Sequence, residues 1–454
     1  MGQTVDCFKA YDVRGKVPDQ LDPSVAYRIG RAFSEVLGAS SVVLGRDVRP
    51  SSQELEQGLA AGLRDGGAEV FTIGLCGTEM VYFATDYWGL DGGIMVTASH
   101  NPRDYNGMKL VREGARPVSG DTGLDEIRRR AEELSAPAEP VAEPVFADIM
   151  PAYTQRLLVF IDQGRLRPLR VVSDPGNGGA GPVMDDLGLE LPFEVLPLHH
   201  EPDGTFPNGI PNPLLPENRA ATAQAVRESG ADLGIAWDGD FDRCFLFDEL
   251  GGFVEGYYLV GLLAQSFLRH QPGERIIYDP RLTWNTEETV QAWDGVPVMS
   301  KTGHAFFKER MRAEDAVYGG EMSGHHYFRD FAYCDSGMVP WLKIAELMGE
   351  TGKPLSELVA EQRAAYPCSG EINFEVGDPQ SVMEGVVAEV ATGEAGIDRT
   401  DGVSVEFSDW RFNLRGSNTE PLLRLNVEAR GNNSLMQEKT KELSSLIGSL
   451  NGSP

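Results

Sequence analysis

The sequence predicts an α/β protein of four domains, three α/β domains and a smaller α+β domain at the C-terminal end. Its 454 residues exceed one hydrophobic core, because single cores stop growing at about 250–300 residues. Helix-period and strand-like segments alternate as far as Pro367, which is typical of βαβ units on mixed or mainly parallel sheets. Beyond Pro367 strand-like segments follow one another directly, which is typical of an antiparallel sheet.

The first domain is predicted over residues 1–150. The stretch Leu134–Ala147, rich in Pro, Ala and Glu, predicts a linker at its end. The segments before it are a helical stripe from Val25 to Leu37, the apolar run Val42–Leu44, a helix from Ser51, and the strands Val70–Ile73 and Gly92–Val96. Loops that leave the carboxyl ends of such strands are where ligands bind in α/β sheets.

The other three domains are predicted over residues 151–252, 253–367 and 368–454. Their strand-like segments are Leu169–Ser173, Leu233–Trp237, Arg275–Tyr278, Val296–Met299, Val317–Tyr318, Ser404–Phe407, Trp410–Leu414 and Leu422–Val427. Their predicted helices are Arg219–Ser229, Thr286–Trp293, Ala305–Met311 and one from about Ser434.

The acidic composition argues against several classes of function. Lys+Arg 40 against Asp+Glu 69 gives a net charge of −29, so we expect neither nucleic acid nor membrane as a partner. The longest apolar runs are far shorter than the about 20 residues that span a membrane, and the N-terminus lacks a signal-peptide pattern. Five scattered cysteines without CxxC spacing predict neither disulfides nor zinc, and favour a cytoplasmic location.

The first candidate site is the loop after Gly92–Val96. Ser99 lies there, with His100 next to it and Lys109 ten residues later. A serine hydroxyl becomes an effective nucleophile when a base, a cation or a metal activates it. From the residue types alone, an ordinary turn with a satisfied histidine remains an open alternative.

The second candidate site follows the strand Leu233–Trp237. Asp238, Asp240 and Asp242 alternate, so an extended loop turns their carboxylates to one side, where they can bind a hard cation such as Mg²⁺. An EF-hand is disfavoured, because its sixth position needs glycine and this chain has Arg243 there. Three acids on a solvated loop without a metal remain the alternative.

Two further loops suit a sugar phosphate. In Gly319–His326, Glu321 and Ser323 can exchange hydrogen bonds with sugar hydroxyls, and the glycines let the backbone come close. In Arg415–Pro421, an arginine fork with hydroxyl, amide and backbone N–H groups can surround a phosphate, with Arg424 beyond. Each loop alone is also compatible with a polar turn.

The segment Gly176–Gly181 matches the GxGxxG fingerprint of dinucleotide-binding folds. However, Asp174–Pro175 lengthens the turn, and Glu194 or Glu201 only loosely meets the acid expected about 20 residues on. We interpret the segment as a glycine-rich turn in a domain that binds no nucleotide.

Together these loops resemble the α-D-phosphohexomutase family, and within it the bacterial phosphomannomutases of the capsule and exopolysaccharide type. The similarity runs nearly end to end, with long motifs in the same order and spacing. The motifs are CFKAYDVRGK, VTASHNP, DYNGMKLVREGARP, NGIPNPLLPEN, WDGDFDRCFLFDE, KTGHAFFKERM, GGEMSGHHYFRDFAYCDSGM and DWRFNLRGSNTEPLLRLNVEAR. This order overrides the alternatives left open for each loop taken singly.

The resemblance implies four domains around one central cleft and a role for each matching residue. Ser99 matches the phosphoserine carrier, which completes a metal site formed by Asp238, Asp240 and Asp242. The matching catalytic residues are Ser99, His100, Lys109, Arg14, Arg243 and His304, with Lys109 and His304 as the proton movers. The matching substrate-binding residues are Tyr11, Lys301, Glu321, Ser323, Arg415, Ser417, Asn418, Thr419 and Arg424.

The resemblance further implies an Mg²⁺-dependent enzyme that interconverts mannose 6-phosphate and mannose 1-phosphate and feeds GDP-mannose synthesis. A hexose 1,6-bisphosphate serves as intermediate and activator, and the implied partners are small hexose phosphates, with the chain a monomer or a homodimer. A dual mannose/glucose or mainly glucose enzyme is the alternative. Glucosamine phosphate is disfavoured, because Met322 stands where those relatives have glutamine.

Two positions depart from better-known relatives. Arg281 stands where some of them carry lysine, which leaves its role in sugar choice open, and Gly324 replaces an alanine. Two other classes of function are weighed against the mutase: a metal-dependent phosphatase with an aspartate nucleophile, and a sugar-phosphate-binding protein without catalysis.

Overall fold

The computed structural model describes residues 4–9, 11–391, 393, 395–416 and 422–451. The chain forms two compact units. The first unit comprises Met1–Phe253 and Gly324–Gly352, and the second comprises Val254–Ser323 and Lys353–Pro454. A segment of the predicted third domain therefore groups with the first unit.

A mixed sheet opens the first unit, with the strand order β1-β5-β4-β2-β3-β7 and β6 beside β5. Neighbours among β2, β3, β4 and β7 are parallel, while β5 runs antiparallel to β4 and β1. The elements are β1 (Val13–Lys16), α1 (Pro23–Leu37), β2 (Ser41–Arg46), α2 (Ser52–Asp65), β3 (Glu69–Leu75), α3 (Thr78–Tyr87), β4 (Gly92–Val96), β5 (Tyr105–Arg112), β6 (Arg116–Pro117), α4 (Leu124–Glu133) and β7 (Val145–Phe146).

Two features of this region show how the sequence builds it. Helix α1 begins where the Asp22 carboxylate accepts a hydrogen bond from Val25 N at 2.7 Å, a standard N-cap. It crosses α2 closely, because a Cβ at Gly62 would lie 1.9 Å from Tyr27 O.

The stretch predicted as a linker differs from expectation, since β7 lies within it and pairs with β3.

The rest of the first unit contains a four-stranded sheet in the order β11-β10-β8-β9. β8, β9 and β10 are parallel and β11 is antiparallel. The glycine-rich segment 176–181 connects β8 to α6. The elements are α5 (Met150–Leu158), β8 (Leu169–Asp174), α6 (Ala180–Glu190), β9 (Phe193–Pro197), α7 (Ala220–Ser229), β10 (Leu233–Trp237), β11 (Cys244–Phe247), β15 (His326–Phe328), β16 (Cys334–Asp335) and α11 (Val339–Thr351).

The second unit contains parallel strands in the order β13-β12-β14 and a C-terminal antiparallel sheet in the order β17-β21-β20-β19-β18. Helices α13 and α14 cover that last sheet over an apolar core. The elements are α8 (Gly256–Leu268), β12 (Arg275–Tyr278), α9 (Trp284–Ala292), β13 (Val296–Met299), α10 (His304–Glu314), β14 (Tyr318–Gly320), α12 (Leu355–Ala365), β17 (Ile372–Glu375), α13 (Pro379–Val390), β18 (Gly396–Asp398), β19 (Val403–Glu406), β20 (Trp410–Gly416), β21 (Leu422–Ala429) and α14 (Asn433–Asn451).

The architecture places the polar loops at the ends of strands. Ser99 follows β4, Asp238 follows β10, Asp279 follows β12 and Glu321 follows β14, which is where ligands bind in such sheets. Single 3₁₀ turns lie at Glu113–Ala115, Gly120–Thr122, Gln163–Arg165, Pro216–Asn218 and Arg329–Phe331. Across the residues that the structure describes, no helix has the length and apolarity needed to cross a membrane.

Candidate active site

Ser99 lies in a constrained turn directly after β4. The residue is 4% exposed and has a φ of 48°, a left-handed conformation that costs a non-glycine residue of order 1–3 kcal/mol. Its backbone N–H donates to Thr97 Oγ1 at 2.8 Å. Such a conformation persists only where the surroundings enforce it, so the position of this serine is specified.

The Ser99 hydroxyl is surrounded by groups that can activate it. It donates a hydrogen bond to Asp238 Oδ2 at 2.7 Å and lies 2.9 Å from His100 Nδ1. Arg243 donates to the same ring nitrogen. The protein atoms packed around the ring, although 39% of the side chain stays exposed, and the Arg243 guanidinium lower the pKa of His100 to about 4, so the imidazole is neutral at pH 7 and accepts hydrogen bonds.

The three aspartates after β10 come together as the sequence predicts. One carboxylate oxygen each of Asp238, Asp240 and Asp242 lies within 4.8 Å of the other two, and all three residues are buried. The Oδ1 atom of each is buried and has no hydrogen-bond partner among the described residues. Buried carboxylate oxygens without partners are costly, and a hard divalent cation would satisfy them. The residues therefore fit a metal site.

A glycine lets the aspartate loop approach the serine loop. A Cβ at Gly239 would lie 2.6 Å from Ser99 O, closer than real Cβ atoms come. Within the first unit, this contact brings the hydroxyl of Ser99 to Asp238.

Two cations neutralise the aspartates. Lys109 Nζ, on β5, lies 2.7 Å from Asp240 Oδ2 and also contacts Asp242. Arg243 Nη2 lies 2.6 Å from Asp238 Oδ2. These contacts are largely buried and charge-assisted. A buried charge is tolerated only when an opposite charge pairs with it.

Burial and neighbouring charges raise the pKa values of Lys109 and Asp242 and lower the pKa of Asp238. Burial opposes the charge of Lys109, but the carboxylates of Asp240, Asp242 and Asp238 outweigh it and raise the pKa of Lys109. Burial likewise opposes the charge of Asp238, and the Arg243 guanidinium nevertheless lowers its pKa. Burial and the neighbouring Asp240 carboxylate raise the pKa of Asp242 to about 6. Lys109 is therefore a stable ammonium group, suited to hold an anion.

Arg14 joins the same group from β1. Its Nη1 donates to Ala98 O at 2.8 Å and to Asn101 Oδ1 at 2.5 Å, and its Nη2 pairs with Asp12 at 2.6 Å. Tyr11, two residues before β1, is half-buried. Arg14 thus supports the serine loop as well as adding positive charge near it.

His325 and its carboxylate partner Asp335 were not predicted as site residues from the sequence. His325 Nδ1 lies 3.0 Å from Asp335 Oδ2 and 4.0 Å from Asp242 Oδ1. Burial opposes its charge, but Asp242 and then Asp335 raise the pKa of His325. His325 and His326 stand side by side in the sequence, but Asp335 lies ten residues away and reaches His325 only because β15 and β16 pair as a hairpin.

In the second unit, Glu321 and Ser323 surround Arg281. The Arg281 guanidinium makes two hydrogen bonds to Asp279, of 2.9 and 2.8 Å, and lies 3.8 Å from Glu321 Oε2 and 3.5 Å from Ser323 Oγ. Glu321 Oε2 also accepts a hydrogen bond from Gly303 N at 3.0 Å. A carboxylate, a hydroxyl and an arginine are thus held together on one loop cluster.

That contact brings the Lys301–His304 loop to the same cluster. Gly303 directly precedes His304, the first residue of α10, so its hydrogen bond with Glu321 fixes the start of that helix. Lys301 is exposed, and its ammonium lies over the ring of Phe306, 5.8 Å from the centroid.

Two arginines of the C-terminal sheet face each other. Arg415 on β20 is paired in register with Arg424 on β21. Arg415 lies 3.6 Å from Asp401, and Arg424 lies 3.7 Å from Glu371. Burial and the nearby Arg281 guanidinium lower the pKa of Arg415. The acidic neighbour of each arginine lies beyond hydrogen-bond distance, so an anion bound beside the two guanidinium groups could accept hydrogen bonds from both. Ser417, Asn418 and Thr419 lie outside the described residues.

Comparison with known proteins identifies the family. Models of the phosphoglucomutase/phosphomannomutase family match the chain in four places: α/β/α domain I at residues 5–138, domain II at 151–251, domain III at 255–366 and the C-terminal domain at 371–444. The chain belongs to the phosphoglucomutase/phosphomannomutase family. Membership confirms the predicted resemblance and the predicted fold class of three α/β domains and a smaller C-terminal domain.

Individual relatives cover almost the whole chain. The chain is 58% identical to "Phosphohexose mutases" of Xanthomonas campestris pv. campestris over 445 residues, covering 98% of this chain and 99% of that one. It is 58% identical to a phosphomannomutase of Salmonella montevideo over 451 residues, with coverage of 98% and 99%. A crystal structure of a family protein from Burkholderia thailandensis superposes with a TM-score of 0.86 at 32% identity, covering 98% of both chains.

Proposed function

We propose that this chain is a phosphomannomutase that interconverts mannose 6-phosphate and mannose 1-phosphate through phosphorylated Ser99. The proposal is supported by the relatives of that name at 58% identity. The observation that carries it is the buried Ser99 hydroxyl, 2.7 Å from Asp238, beside a cluster of carboxylates and cations. That arrangement suits phosphoryl transfer, which depends on positioning and on neutralising charge.

In the proposed cycle, phosphorylated Ser99 first donates its phosphoryl group to the free hydroxyl of a hexose monophosphate. The Oγ–P bond breaks, a bond from phosphorus to the sugar oxygen forms, and the hydroxyl proton leaves to a base. The resulting hexose 1,6-bisphosphate turns over. Its other phosphoryl group then returns to Ser99 Oγ, which restores the phosphoserine and releases the isomeric monophosphate.

The residues of the first unit divide this work. Lys109, Arg243 and Arg14 place positive charge around the phosphoryl oxygens, where preorganised charge stabilises the transition state. Because its pKa is raised, Lys109 is an ammonium group that holds phosphoryl oxygens and gives up its proton only to a strongly basic oxygen, such as a leaving alkoxide. His304, in the second unit, remains a proposed proton mover, and His325, held by Asp335 at 3.0 Å, is a second candidate for that role.

Asp238, Asp240 and Asp242, with an oxygen on Ser99, would hold Mg²⁺. The support is that their Oδ1 atoms are buried and find no hydrogen-bond partner among the residues that the structure describes. When bound, the ion neutralises phosphoryl oxygens as a Lewis acid. The hexose 1,6-bisphosphate intermediate is part of the same proposal.

The second unit is proposed to hold the sugar and the phosphate that does not react. Glu321 and Ser323 would contact the sugar hydroxyls, with Lys301 as a further binding residue, and Tyr11 is proposed as a binding residue from the first unit. Arg415, Arg424 and the loop residues Ser417, Asn418 and Thr419 would bind the phosphate. The support is the position of the two arginines opposite each other in the sheet, with acidic neighbours only at 3.6 and 3.7 Å.

A wider sugar range is the second candidate function. The Xanthomonas relative at 58% identity bears the name "Phosphohexose mutases", which favours acceptance of glucose phosphates beside mannose phosphates. Arg281 is mostly engaged by Asp279, so it supports the sugar loop rather than selecting one sugar. Steady-state rates with mannose 1-phosphate, glucose 1-phosphate and glucosamine 1-phosphate would rank them, and a clear glucose preference would overturn the mannose assignment.

Several further assignments belong to this proposal. The domain boundaries are proposed near residues 150, 252 and 367, and the family-model ranges support them. A cytoplasmic location is supported by the five free cysteines, which suit a reducing compartment. The chain would act as a monomer or homodimer and supply mannose 1-phosphate for GDP-mannose synthesis.

Intact-mass measurement after addition of mannose 1,6-bisphosphate tests the central proposal. Wild type should gain one phosphoryl group, while Ser99→Ala should gain none and lose at least about 10⁴-fold in kcat, as removal of a nucleophile does. Ser445→Ala, an exposed serine on α14, is the control and should behave as wild type. A phosphatase with an aspartate nucleophile would instead carry the phosphoryl group on that aspartate, and its Ser99→Ala variant would keep its activity.

A further inference from the structure

The connection between β2 and α2 carries a buried arginine that the proposed mechanism does not use. Arg49 lies in this connection, and its side chain is fully buried. Its guanidinium lies beside the ring of Phe206, 5.4 Å from the centroid. A buried arginine is tolerated only when polar groups pair with its guanidinium. The partners of Arg49 therefore indicate its role.

The four terminal N–H groups of Arg49 all serve the serine loop. Nη2 donates to Ser99 O at 2.9 Å and to Asn101 O at 2.7 Å. Nη1 donates to Pro102 O at 2.7 Å and to Tyr105 O at 2.9 Å. One planar fork therefore binds four carbonyl oxygens distributed over the whole turn from the serine to the start of β5.

Asp47 forms an ion pair with Arg49 and also binds the loop. Its Oδ2 lies 3.2 Å from Arg49 Nε and accepts a hydrogen bond from Ala98 N at 3.4 Å. Its Oδ1 accepts from Ser52 Oγ at 2.6 Å and from Arg49 N at 3.0 Å. The pair is neutral as a whole and is anchored to the first turn of α2.

We propose that Arg49, paired with Asp47, is a positioning residue that holds Ser99 in its strained conformation and aims its hydroxyl at Asp238. Ser99 has a φ of 48°, and a loop without enforcing contacts would relax from that region. Arg49 binds the Ser99 carbonyl itself, so it acts on the strained residue directly. Lysine cannot replace it, because one ammonium group cannot reach four carbonyl oxygens in a plane.

The inference rests on the proposed role of Ser99, and the test is Arg49→Lys with Arg46→Lys as the matched control. Arg46 ends β2 and pairs with Glu56 at 3.0 Å, so the control changes a neighbouring arginine that does not bind the serine loop. The measurements are kcat and KM for mannose 1-phosphate, the single-turnover rate of Ser99 phosphorylation by mannose 1,6-bisphosphate, and the midpoint of thermal unfolding.

Arg49→Lys should lower kcat and the phosphorylation rate by the same factor, about 100-fold, which is the effect of misplacing a reacting group by about 1 Å. KM should stay within about twofold, because the substrate-binding residues are untouched. Arg46→Lys should match wild type. A kcat for Arg49→Lys near that of wild type, or a loss that Arg46→Lys shares, would overturn the inference.

Two further comparisons keep the test decisive. If Arg49→Lys does not fold, Asp47→Asn takes its place, and folded Asp47→Asn with a wild-type phosphorylation rate would sink the inference. Wild type itself separates the two proposals. If wild type gains no phosphoryl group, the proposed function fails; if wild type gains one and Arg49→Lys does so equally fast, only the positioning role fails.

Discussion

The cations of the two units are held in different ways. In the first unit, Lys109 and Arg243 make direct hydrogen bonds with aspartates, at 2.7 and 2.6 Å. In the second unit, Arg415 and Arg424 lie 3.6 and 3.7 Å from their acidic neighbours, too far for a hydrogen bond. The Nε of each of these two arginines is buried and has no hydrogen-bond partner in the described part of the chain.

The difference separates two uses of positive charge. A cation engaged by a carboxylate keeps that carboxylate ionised and in place, and its removal leaves a buried charge unpaired. A cation whose acidic neighbours in the described part of the chain lie beyond hydrogen-bond distance, placed opposite another cation, is destabilised until an anion arrives. We infer that Lys109 and Arg243 of the first unit organise the aspartates, and that Arg415 and Arg424 of the second unit stay available for the ligand.

The first prediction tests whether Lys109 organises the aspartates of the first unit. In chelator, Lys109→Met should lose about 3–5 kcal/mol of unfolding free energy, because Asp240 and Asp242 are left buried without a counter-charge. Mg²⁺ should restore much of this stability, and it should stabilise wild type by a smaller amount, because Lys109 already neutralises part of the charge there. Urea unfolding with chelator and with Mg²⁺ measures both effects.

The control for that variant is Lys353→Met, which removes a partly exposed lysine paired with Glu357 and Glu361. It should change stability by no more than about 1 kcal/mol. Equal stability of Lys109→Met and wild type in chelator would show that Lys109 does not organise the aspartates.

The second prediction concerns Arg243. Arg243→Lys keeps the charge but loses the two hydrogen bonds to Asp238 and the contact with His100, so kcat should fall about 100-fold, as truncation of a buried charge pair does. KM should change little. Steady-state kinetics against Arg170→Lys, a surface arginine paired with Glu194, checks this, and a rise in KM alone would contradict it.

The third prediction concerns the second unit. Arg415→Lys should raise KM for mannose 1-phosphate by about 10–100-fold, the value of a charge-assisted hydrogen bond to the ligand, with a smaller change in kcat and no loss of stability. Steady-state kinetics and thermal unfolding together measure this. A destabilised protein with an unchanged KM would mean that Arg415 serves the fold, as the cations of the first unit do.

The fourth prediction uses a buried carboxyl that has no cation beside it. Glu79 accepts hydrogen bonds from Tyr153 Oη at 2.5 Å and Ser336 Oγ at 2.7 Å, and from the backbone N–H groups of Gly337 and Met338. Burial outweighs these donors and raises the pKa of Glu79 to about 8. Between about pH 4.5 and 8 the folded protein therefore keeps a proton that the unfolded chain releases, so wild-type stability falls as pH rises.

Glu79→Gln has no titrating group at this position, so it should not show this fall in stability as the pH rises. Its stability relative to wild type should therefore rise by about 1.4 kcal/mol from pH 6 to pH 7. Urea unfolding of both proteins at the two pH values tests the sign. A constant difference between them would show that the carboxylate is already ionised in the folded state.

Much of the site could be predicted because its residues are contiguous in the chain. Asp238, Asp240 and Asp242 lie within five residues of each other, and one short loop brings their oxygens together. The position of Ser99 after a strand was predictable for the same reason. By contrast, Asp335, Arg49 and Glu79 reach their partners only through strand pairing and helix packing, which leave no pattern in a single sequence.

The roles of some predicted residues also depended on their surroundings. Lys109 could be expected near the serine, but its raised pKa follows from carboxylates more than 100 residues away in the chain. The stretch predicted as a linker contains β7, because two residues of an apparently unstructured segment pair with β3. Sequence patterns report composition and period, and neither specifies which edge strand a short segment joins.

The sequence alone determined the α/β character, the loops that bear the chemistry and the family, because periodicity and contiguous motifs are local properties of the chain. Only the tertiary structure decided which charges neutralise each other, which arginines stay available for an anion, and how the strained serine is held. Those outcomes depend on distances between groups far apart in sequence, and electrostatic energies in a buried site change steeply with such distances.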